Sequence, residues 1–457
     1  MEKREKFSSR IGFILISAGC AIGLGNVWRF PFVTGQYGGA AFVLVYLFFL
    51  FILGLPIMVM EFAVGRASQR SIATSFHALE PKGSKWHWYS YIGMAGNYLL
   101  MMFYTTVAGW MICYFFKMIK GDFVGRTPDQ VAGIFGGMLS DPVNQILWML
   151  VVIVLGFLVC SLGLQNGVEK ITTVMMSCLF IVIVVLIVRS VTLPGATDGL
   201  KFYLIPDFQA MKEQGIMKVV SAAMGQAFFT LSLGIGAIAI FGSYIDKSHR
   251  LTGEAISVGV LDTLVALMAG LIIFPACSAF GVSPDSGPKL VFITLPNVFN
   301  EMPGSQIWGA LFFLFMSFAA MSTIIAVFQN IISFAQDLWG WSLKKAIAFN
   351  VVAVTVLSLP CALGFNVLSF IQPLGAGNTI QDLEDFIVSN NILPLGSLVY
   401  LMFCVSKYGW GWKNFTKEAD AGIGIKFPSW TRVYVTYILP LIVIFIFIQG
   451  YLDKFMG

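Results

Sequence analysis

Residues 19–31 read GCAIGLGNVWRFP and interrupt an apolar segment that begins at residue 11. Each glycine destabilises a helix interior by about 1 kcal/mol relative to alanine. Three glycines followed by Asn26, Arg29 and Pro31 therefore predict a membrane helix that is broken near its middle. Close packing of helices through small residues, which is common in membranes, is the alternative explanation for this stretch alone.

A second stretch of the same kind occurs at residues 229–236, which read FTLSLGIG. The two stretches lie five predicted spans apart, and breaks at corresponding positions in two halves indicate an internal repeat with a binding site near the midplane. A broken helix leaves free carbonyl oxygens at one end and free amides at the other. The carbonyls suit a hard cation such as Na⁺, and the amides attract a carboxylate.

The composition places both stretches in a membrane protein. Of the 457 residues, 58% are hydrophobic and only 11% are charged, whereas soluble domains carry about 25% charged residues. This excludes a soluble enzyme, and the net charge of +5 calls for no nucleic-acid partner. Apolar runs long enough to cross a bilayer occur at about 11–36, 39–64, 88–119, 144–163, 168–191, 219–244, 252–281, 306–336, 344–363, 384–406 and 432–452.

We therefore predict an all-α polytopic membrane protein with eleven transmembrane helices. It forms one transmembrane domain over residues 1–457, with an inverted repeat of spans 1–5 (about 11–191) and 6–10 (about 219–406) and an extra span at about 432–452. Spans 1 and 6 are expected to be unwound at mid-membrane. When the connections are assigned alternately to the two sides, the side of the N-terminus holds 18 Lys and Arg residues and the other side holds 9. The positive-inside rule then predicts a cytoplasmic N-terminus and an external C-terminus in the cell membrane.

Cysteines and histidines suggest no further chemistry. All seven cysteines fall in apolar stretches, which is typical of buried small side chains. The three histidines are scattered over polar connections, so we expect no histidine metal site. A signal peptide at the N-terminus is rejected because only more membrane spans follow it.

One carboxylate is hard to explain as a structural feature. Asp262 lies well inside the seventh apolar run, where a charge costs about 2.5–3.5 kcal/mol on insertion scales. It is therefore a candidate for the cation site, and a role as structural partner for an interior Arg is the alternative. The other side chains that could complete such a site are those of Asn26, Thr230, Ser232, Ser322 and Thr323. For Ser322 and Thr323, back-bonding to the preceding helical turn is an equally good explanation. Elsewhere, Glu61 is expected to brace an unwound backbone or to pair locally.

Residues 23–31 (GLGNVWRFP), 38–42 (GGAAF) and 225–234 (GQAFFTLSLG) closely resemble motifs of the neurotransmitter:sodium symporter family. The resemblance extends over nearly the whole chain. Within the family, the eleven-span layout is similar to that of bacterial members that carry many hydrophobic amino acids. It implies a bundle of spans 1, 2, 6 and 7 that rocks against a scaffold of spans 3, 4, 8 and 9.

The resemblance also implies two Na⁺ sites and a substrate site. The first Na⁺ site would use the carbonyls of Ala21 and Thr230 and the side chains of Asn26, Thr230 and Asp262. The second would use the carbonyls of Gly19, Ile22 and Ala319 and the hydroxyls of Ser322 and Thr323. The substrate carboxylate would meet Leu24, Gly25 and Tyr104, and the substrate side chain would meet Leu100, Phe229, Ser232, Ile235 and Val327.

The gates follow from the same resemblance. Arg29 and Asp385, with Tyr104 and Phe229, would close the outer side. The inner side would be closed by Arg4, Phe7, Tyr244 and Asp337.

Departures from the family pattern refine the expected function. Gly23 stands where monoamine carriers have an aspartate, which favours a substrate that brings its own carboxylate. Asp262 supplies a fixed anion, and Ala266 stands where relatives have serine or glutamate, so we expect independence from chloride. The aliphatic Leu100, Ile235 and Val327 predict hydrophobic L-amino acids from Leu to Trp as substrates.

Other functions fit less well. A channel or a sensor on the same fold would need no midplane carboxylate, and no soluble signalling domain is present. A membrane enzyme lacks a cluster of His, Cys and carboxylate at one depth. A carrier of a small zwitterion such as glycine, or of an osmolyte, is the alternative within transporters. We expect the lipid bilayer and the substrate as partners, and no obligate protein partner is visible.

Overall fold

The computed structural model describes residues 5–282 and 290–455. The protein is 78% helical, and the described part holds no strand. Nine of its helices are long and apolar enough to cross a membrane. They are Ala40–Ser68, Trp88–Lys120, Pro142–Ser161, Leu164–Val191, Leu251–Ala279, Ser305–Trp339, Leu343–Leu363, Ile380–Val405 and Ser429–Leu452.

The first span is broken as predicted. It consists of helices Arg10–Ala21 and Gly25–Gln36, which meet at an angle of 56°. Ser9 begins the first helix, because its hydroxyl accepts a hydrogen bond from the amide of Gly12 at 2.9 Å. The second helix opens with a π-helical turn over Gly25–Arg29. This bent pair is a tenth candidate span.

The sixth predicted span is also interrupted. Helix Ile216–Thr230 ends, the chain runs without helix to residue 238, and a short helix follows at Ala239–Gly242. Within the gap, Ser232 has φ +50° and Gly234 has φ +99°, values that no right-handed helix contains. Both helical pieces are too short to count as spans by length, so the predicted total of eleven is not confirmed, whereas the two predicted breaks are.

The remaining helices are short connectors at the ends of the spans. They are Ile72–Leu79, Pro128–Ser140, Ala196–Leu204, Phe208–Glu213, Leu290–Asn300 and Trp412–Ala419. Thr127 and Gln130 form a capping box that fixes the start of one of them.

The spans differ in how much of their surface the protein covers. Trp88–Lys120 and Ser305–Trp339 are largely buried, whereas Leu164–Val191 and Ser429–Leu452 are mostly uncovered. The exposed side chains on the outer helices are apolar, as at Ile181, Val188 and Leu441. Such surfaces are suited to lipid, so the two buried helices and the broken spans form the interior of the bundle.

Candidate functional site

The break in the first span faces two hydroxyls on helix Ser305–Trp339. Thr323 donates toward the carbonyls of Gly19 at 3.3 Å and Ile22 at 3.2 Å. Ser322 lies 2.9 Å from the carbonyl of Ala319 and 3.5 Å from that of Ile22. Both hydroxyls are buried. Three carbonyls and two hydroxyls therefore converge on one point, which is an all-oxygen environment that hard cations prefer.

A second polar cluster joins the two broken spans to helix Leu251–Ala279. The amide nitrogen of Asn26 donates to Asp262 Oδ1 at 2.8 Å and to the Thr230 hydroxyl at 3.1 Å. The Thr230 hydroxyl lies 3.0 Å from Asp262 Oδ2. Asp262 is fully buried, and in the described part of the chain no Lys, Arg or His pairs with it. A buried carboxylate without a protein cation is a favourable place for a bound one.

A small cavity of about 20 Å³ lies at the first break and borders the first of these clusters through Thr323. It is lined by Ala21, Gly23, Gly25, Leu100, Tyr104, Phe229, Ser232, Thr323 and Leu393. The amide of Leu24 donates to the Tyr104 hydroxyl at 3.0 Å. The cavity has room for about one water molecule, so a larger ligand requires its walls to move apart.

The cavity includes most of the predicted substrate residues. Gly25, Leu100, Tyr104, Phe229 and Ser232 line it directly, and Leu24 reaches it through its amide.

Two predicted substrate residues lie elsewhere, and two cavity residues were missed. Ile235 and Val327 are fully buried but do not line the cavity. Gly23 and Leu393 line it but were not assigned to the substrate from the sequence. The glycine-rich motif could have indicated Gly23, whereas nothing in the sequence around Leu393 distinguishes it from other apolar positions.

The unwound part of the sixth span is held by polar side chains from its neighbours. Glu61 accepts a hydrogen bond from the amide of Gly234, and the Tyr89 hydroxyl donates to the carbonyl of Gly234 at 2.6 Å. Asn97 donates to the carbonyl of Ile235 at 2.8 Å and is itself bonded by Asn330 at 2.9 Å. These bonds replace those lost from the helix, as buried backbone requires. The sequence indicated Glu61 as a brace but gave no signal for the other three.

Toward one end, the central cavity is closed by stacked side chains. The Arg29 guanidinium lies 4.3 Å from the centre of the Phe229 ring. Beyond this pair lies a vestibule of about 560 Å³, to which Arg29 and Ser389 contribute. The expected outer pair of Arg29 with Asp385 is not formed among the described residues; Asp385 instead accepts a hydrogen bond from Ser389 at 2.6 Å.

Toward the other end, an aromatic cluster separates the centre from a second cavity of about 300 Å³. The Phe7 ring contacts those of Phe13 and Tyr244, with centroids 5.9 and 5.6 Å apart. Gln329 donates to the Tyr244 hydroxyl at 2.9 Å. Of the other expected inner-gate residues, Asp337 accepts from the amide of Ser71 at 2.7 Å, and Arg4 lies outside the described residues.

The chain is similar to sodium-dependent transporters. The family described as the Sodium:neurotransmitter symporter family matches residues 4–126 and 137–454. An uncharacterized sodium-dependent transporter of Bacillus subtilis, YhdH, is 33% identical over 98% of both chains. The taurine transporter of Rattus norvegicus, described as sodium- and chloride-dependent, is 25% identical over 98% of this chain and 78% of its own.

Among solved structures, the crystal structure of MhsT in complex with L-phenylalanine superposes with a TM-score of 0.87. It is 36% identical, and the match covers 98% of this chain and 100% of that one.

Proposed function

This chain belongs to the sodium:neurotransmitter symporter family, and from that premise we propose that it imports hydrophobic L-amino acids, aliphatic to aromatic, with two Na⁺ ions and without chloride. It is a membrane transporter and not an enzyme, and it couples the transport of an amino acid to sodium. The finer statements, which concern the substrate range, the number of ions and the orientation, are our proposals.

The proposal rests on five oxygen atoms that lie close together. They belong to Gly19, Ile22, Ala319, Ser322 and Thr323. They form an all-oxygen site at the break of the first span. Both hydroxyls also bond back to Ala319 in their own helix, Thr323 at 3.4 Å, so the carbonyls of Gly19 and Ile22 from the broken span are what favours an ion there. A Na⁺ ion there would join the first span to helix Ser305–Trp339. Its release would free helix Arg10–Ala21 to move.

The ion of the first Na⁺ site would bind at Asn26, Thr230 and Asp262, where the carboxylate is the fixed charge. This site borders the central cavity through the first break, so the substrate carboxylate can add an oxygen to the ion. Each ligand then increases the affinity for the other, and this coupling is reciprocal by thermodynamic necessity.

The central cavity supports an amino-acid substrate of apolar character. The amides at the start of helix Gly25–Gln36 suit a carboxylate, and Tyr104 lies beside them. Leu100, Phe229 and Leu393 surround the rest of the cavity and offer no charge to a polar side chain.

Transport would proceed by alternating access between the two larger cavities. The stacked pair of Arg29 and Phe229 closes the path to the vestibule, and the cluster of Phe7, Phe13 and Tyr244 closes the opposite path. Opening one closure while the other stays shut moves the substrate across without a continuous channel. In the orientation that we propose from the Lys and Arg distribution, the vestibule is external and the N-terminus is cytoplasmic.

A small zwitterion is the second candidate substrate. The central cavity, with a volume of about 20 Å³, holds neither leucine nor glycine until its walls separate, and its uncharged lining is compatible with a small zwitterion as well. This candidate is tested together with the first.

Equilibrium binding of radiolabelled leucine to the purified protein, in Na⁺ or in K⁺ and with chloride or gluconate, tests the proposal. We expect binding that requires Na⁺, is unchanged in gluconate, and is displaced by tryptophan and phenylalanine but not by lysine or aspartate. Na⁺-dependent binding of radiolabelled glycine or taurine, together with no binding of leucine, would favour the small zwitterion. Loss of binding in gluconate would contradict chloride independence.

A further inference from the structure

Two of the three histidines meet one carboxylate in the connection between the second and third spans. His77 lies in the last turn of helix Ile72–Leu79, Glu80 follows that helix, and His87 precedes span Trp88–Lys120. The Nδ1 atoms of His77 and His87 lie 3.0 and 2.7 Å from the same oxygen, Glu80 Oε1. The three residues lie close together in sequence, within residues 77–87, and the turn between the two helices brings their side chains into contact.

The three side chains offer a set of ligand atoms suited to a transition metal. One atom from each of His77, Glu80 and His87 lies within 4.8 Å of the other two. Two imidazoles and one carboxylate bind Zn²⁺ in many proteins and leave a fourth position for water. Ligands about 2.0–2.2 Å from a tetrahedral ion lie about 3.4 Å from one another, so small side-chain rotations suffice to admit the ion.

The carboxylate is held in place by groups outside the trio. The Ser84 hydroxyl and the backbone amide of His87 donate to the other oxygen, Glu80 Oε2, at 3.0 and 3.2 Å. Oε1 therefore stays directed at both rings. Hydrogen bonds of this kind orient the ligands of known metal sites.

Access to the trio is open on one side. The Glu80 side chain is only 7% exposed, whereas those of His77 and His87 are 72% and 34% exposed. An ion can thus reach both ring nitrogens from solvent and meet a carboxylate that is already fixed. Hydrogen bonding between the rings and Glu80 explains the same contacts without a metal, and the two possibilities differ in what they predict for added Zn²⁺.

We propose that His77, Glu80 and His87 form a binding site for one divalent transition-metal ion, with Zn²⁺ as the best match to the ligand set. The ion would connect helix Ile72–Leu79 to the start of span Trp88–Lys120. That short helix also contacts the C-terminal end of helix Ser305–Trp339, because the amide of Ser71 donates a hydrogen bond to Asp337 at 2.7 Å. This site is separate from the transport site and does not depend on which substrate is carried.

The test is a calorimetric titration of the purified full-length protein, isolated with a histidine-free tag and treated with chelator, with Zn²⁺. We expect one Zn²⁺ per chain, and visible absorption bands of a tetrahedral site when Co²⁺ is added instead. Mg²⁺, which prefers oxygen ligands, should not compete.

Single substitutions in the trio and next to it show which side chains bind the ion. We expect His77→Ala and Glu80→Gln each to weaken Zn²⁺ binding at least about tenfold, and Ser84→Ala, which removes a bond to the carboxylate, to weaken it by about 10- to 100-fold. His249→Ala is the matched control, since His249 contacts Ser248 and lies outside the trio, and it should bind like the unmodified protein. His77 is largely exposed, so its replacement should leave folding intact, which size-exclusion chromatography would verify.

Binding only at millimolar Zn²⁺ would overturn the proposal. Equal binding by the unmodified protein and by a monodisperse His77→Ala variant would overturn it as well.

Discussion

At the scale of single residues, our proposal is that the negative charge of Asp262 sets how strongly the cation of the first Na⁺ site binds. Its carboxylate contacts Asn26 and Thr230 and no protein cation in the described residues. Replacing the carboxylate with a neutral amide should therefore weaken cation binding more than it destabilises the fold.

We predict that Asp262→Asn raises the Na⁺ concentration for half-maximal uptake at least about tenfold, which corresponds to about 1.4 kcal/mol. Thr263→Val is the matched control, because Thr263 bonds back to Gly259 at 2.7 Å in its own helix, and it should leave this concentration unchanged. Uptake measured over a Na⁺ series decides the question. Equal Na⁺ dependence in both variants would remove Asp262 from the site.

Glu384 is a second buried carboxylate with a different environment. Among the described residues its hydrogen-bond partner is the Cys361 thiol, which is only a weak donor, and the side chain is almost fully buried. An ionised carboxylate in such a place is unfavourable by several kcal/mol, so we expect the neutral acid.

Glu384→Gln, which keeps the shape and the neutrality, should retain uptake within about twofold and the same melting temperature. Glu384→Ala should lower the melting temperature, because it leaves a cavity. Thermal melting in detergent and uptake in vesicles measure both effects. A well-folded Glu384→Gln variant without uptake would show that the charged form is needed.

The sequence predicted those site residues that carry a chemical signature. Asp262 is a charge in an apolar run, and Asn26 interrupts a glycine-rich motif, so both are conspicuous. Leu393 and Asn97 contribute through tertiary packing between distant spans, and no local pattern distinguishes them. The pairing of His77 with His87 was missed for a different reason: the two residues lie in one connection, and the turn after helix Ile72–Leu79 brings their rings to the same carboxylate oxygen.

At the scale of elements, the break in the sixth span depends on Gly234. Its φ of +99° is a conformation that side chains rarely adopt, and a Cβ atom there would overlap the carbonyl of Leu393. Helix Ile216–Thr230 supplies a contrasting glycine, since a Cβ atom at Gly225 would meet no atom within 4 Å.

We predict that Gly234→Ala reduces uptake to less than about a tenth, because it adds about 1–2 kcal/mol of backbone strain in addition to the overlap. Gly225→Ala should keep uptake, since alanine favours helix by about 1 kcal/mol. Parallel uptake assays on equal amounts of folded protein make the comparison. Similar activity of both variants would show that the break tolerates a side chain.

Both breaks were predictable because each combines clustered glycines, which destabilise a helix interior, with polar residues in the middle of an apolar run. The exact ends of the helices were not, since they depend on contacts such as that of Glu61 with Gly234. The predicted repeat boundaries at about 191 and 219 stay a prediction.

At the scale of the whole molecule, the orientation in the membrane is open to a direct test. Six of the seven cysteines are buried and Cys178 is half-buried, so a Cys178→Ser background should react little with a membrane-impermeant maleimide. Ser140 and Lys413 are exposed and lie on opposite sides in the proposed orientation.

We predict that Ser140→Cys is labelled in intact cells and that Lys413→Cys is labelled only after permeabilisation. Gel analysis of the labelled protein gives the answer. The reverse pattern would place the N-terminus outside.

The central cavity is separated from the vestibule by the pair of Arg29 and Phe229, and the cluster of Phe7, Phe13 and Tyr244 lines the second cavity. Thr323 lines the central cavity, and so does Gly25, the neighbour of Asn26. Ion binding and the opening of the closures therefore involve the same broken spans.

Uptake of radiolabelled leucine and tryptophan into proteoliposomes under an inward Na⁺ gradient, with K⁺ replacement as the control, tests this coupling most directly. We predict that substrate accumulates above its external concentration and that accumulation vanishes when Na⁺ is replaced. Uptake that only equilibrates, or that is the same in K⁺, would contradict a sodium-coupled symporter and remove the basis for assigning Asp262, Ser322 and Thr323 to ions.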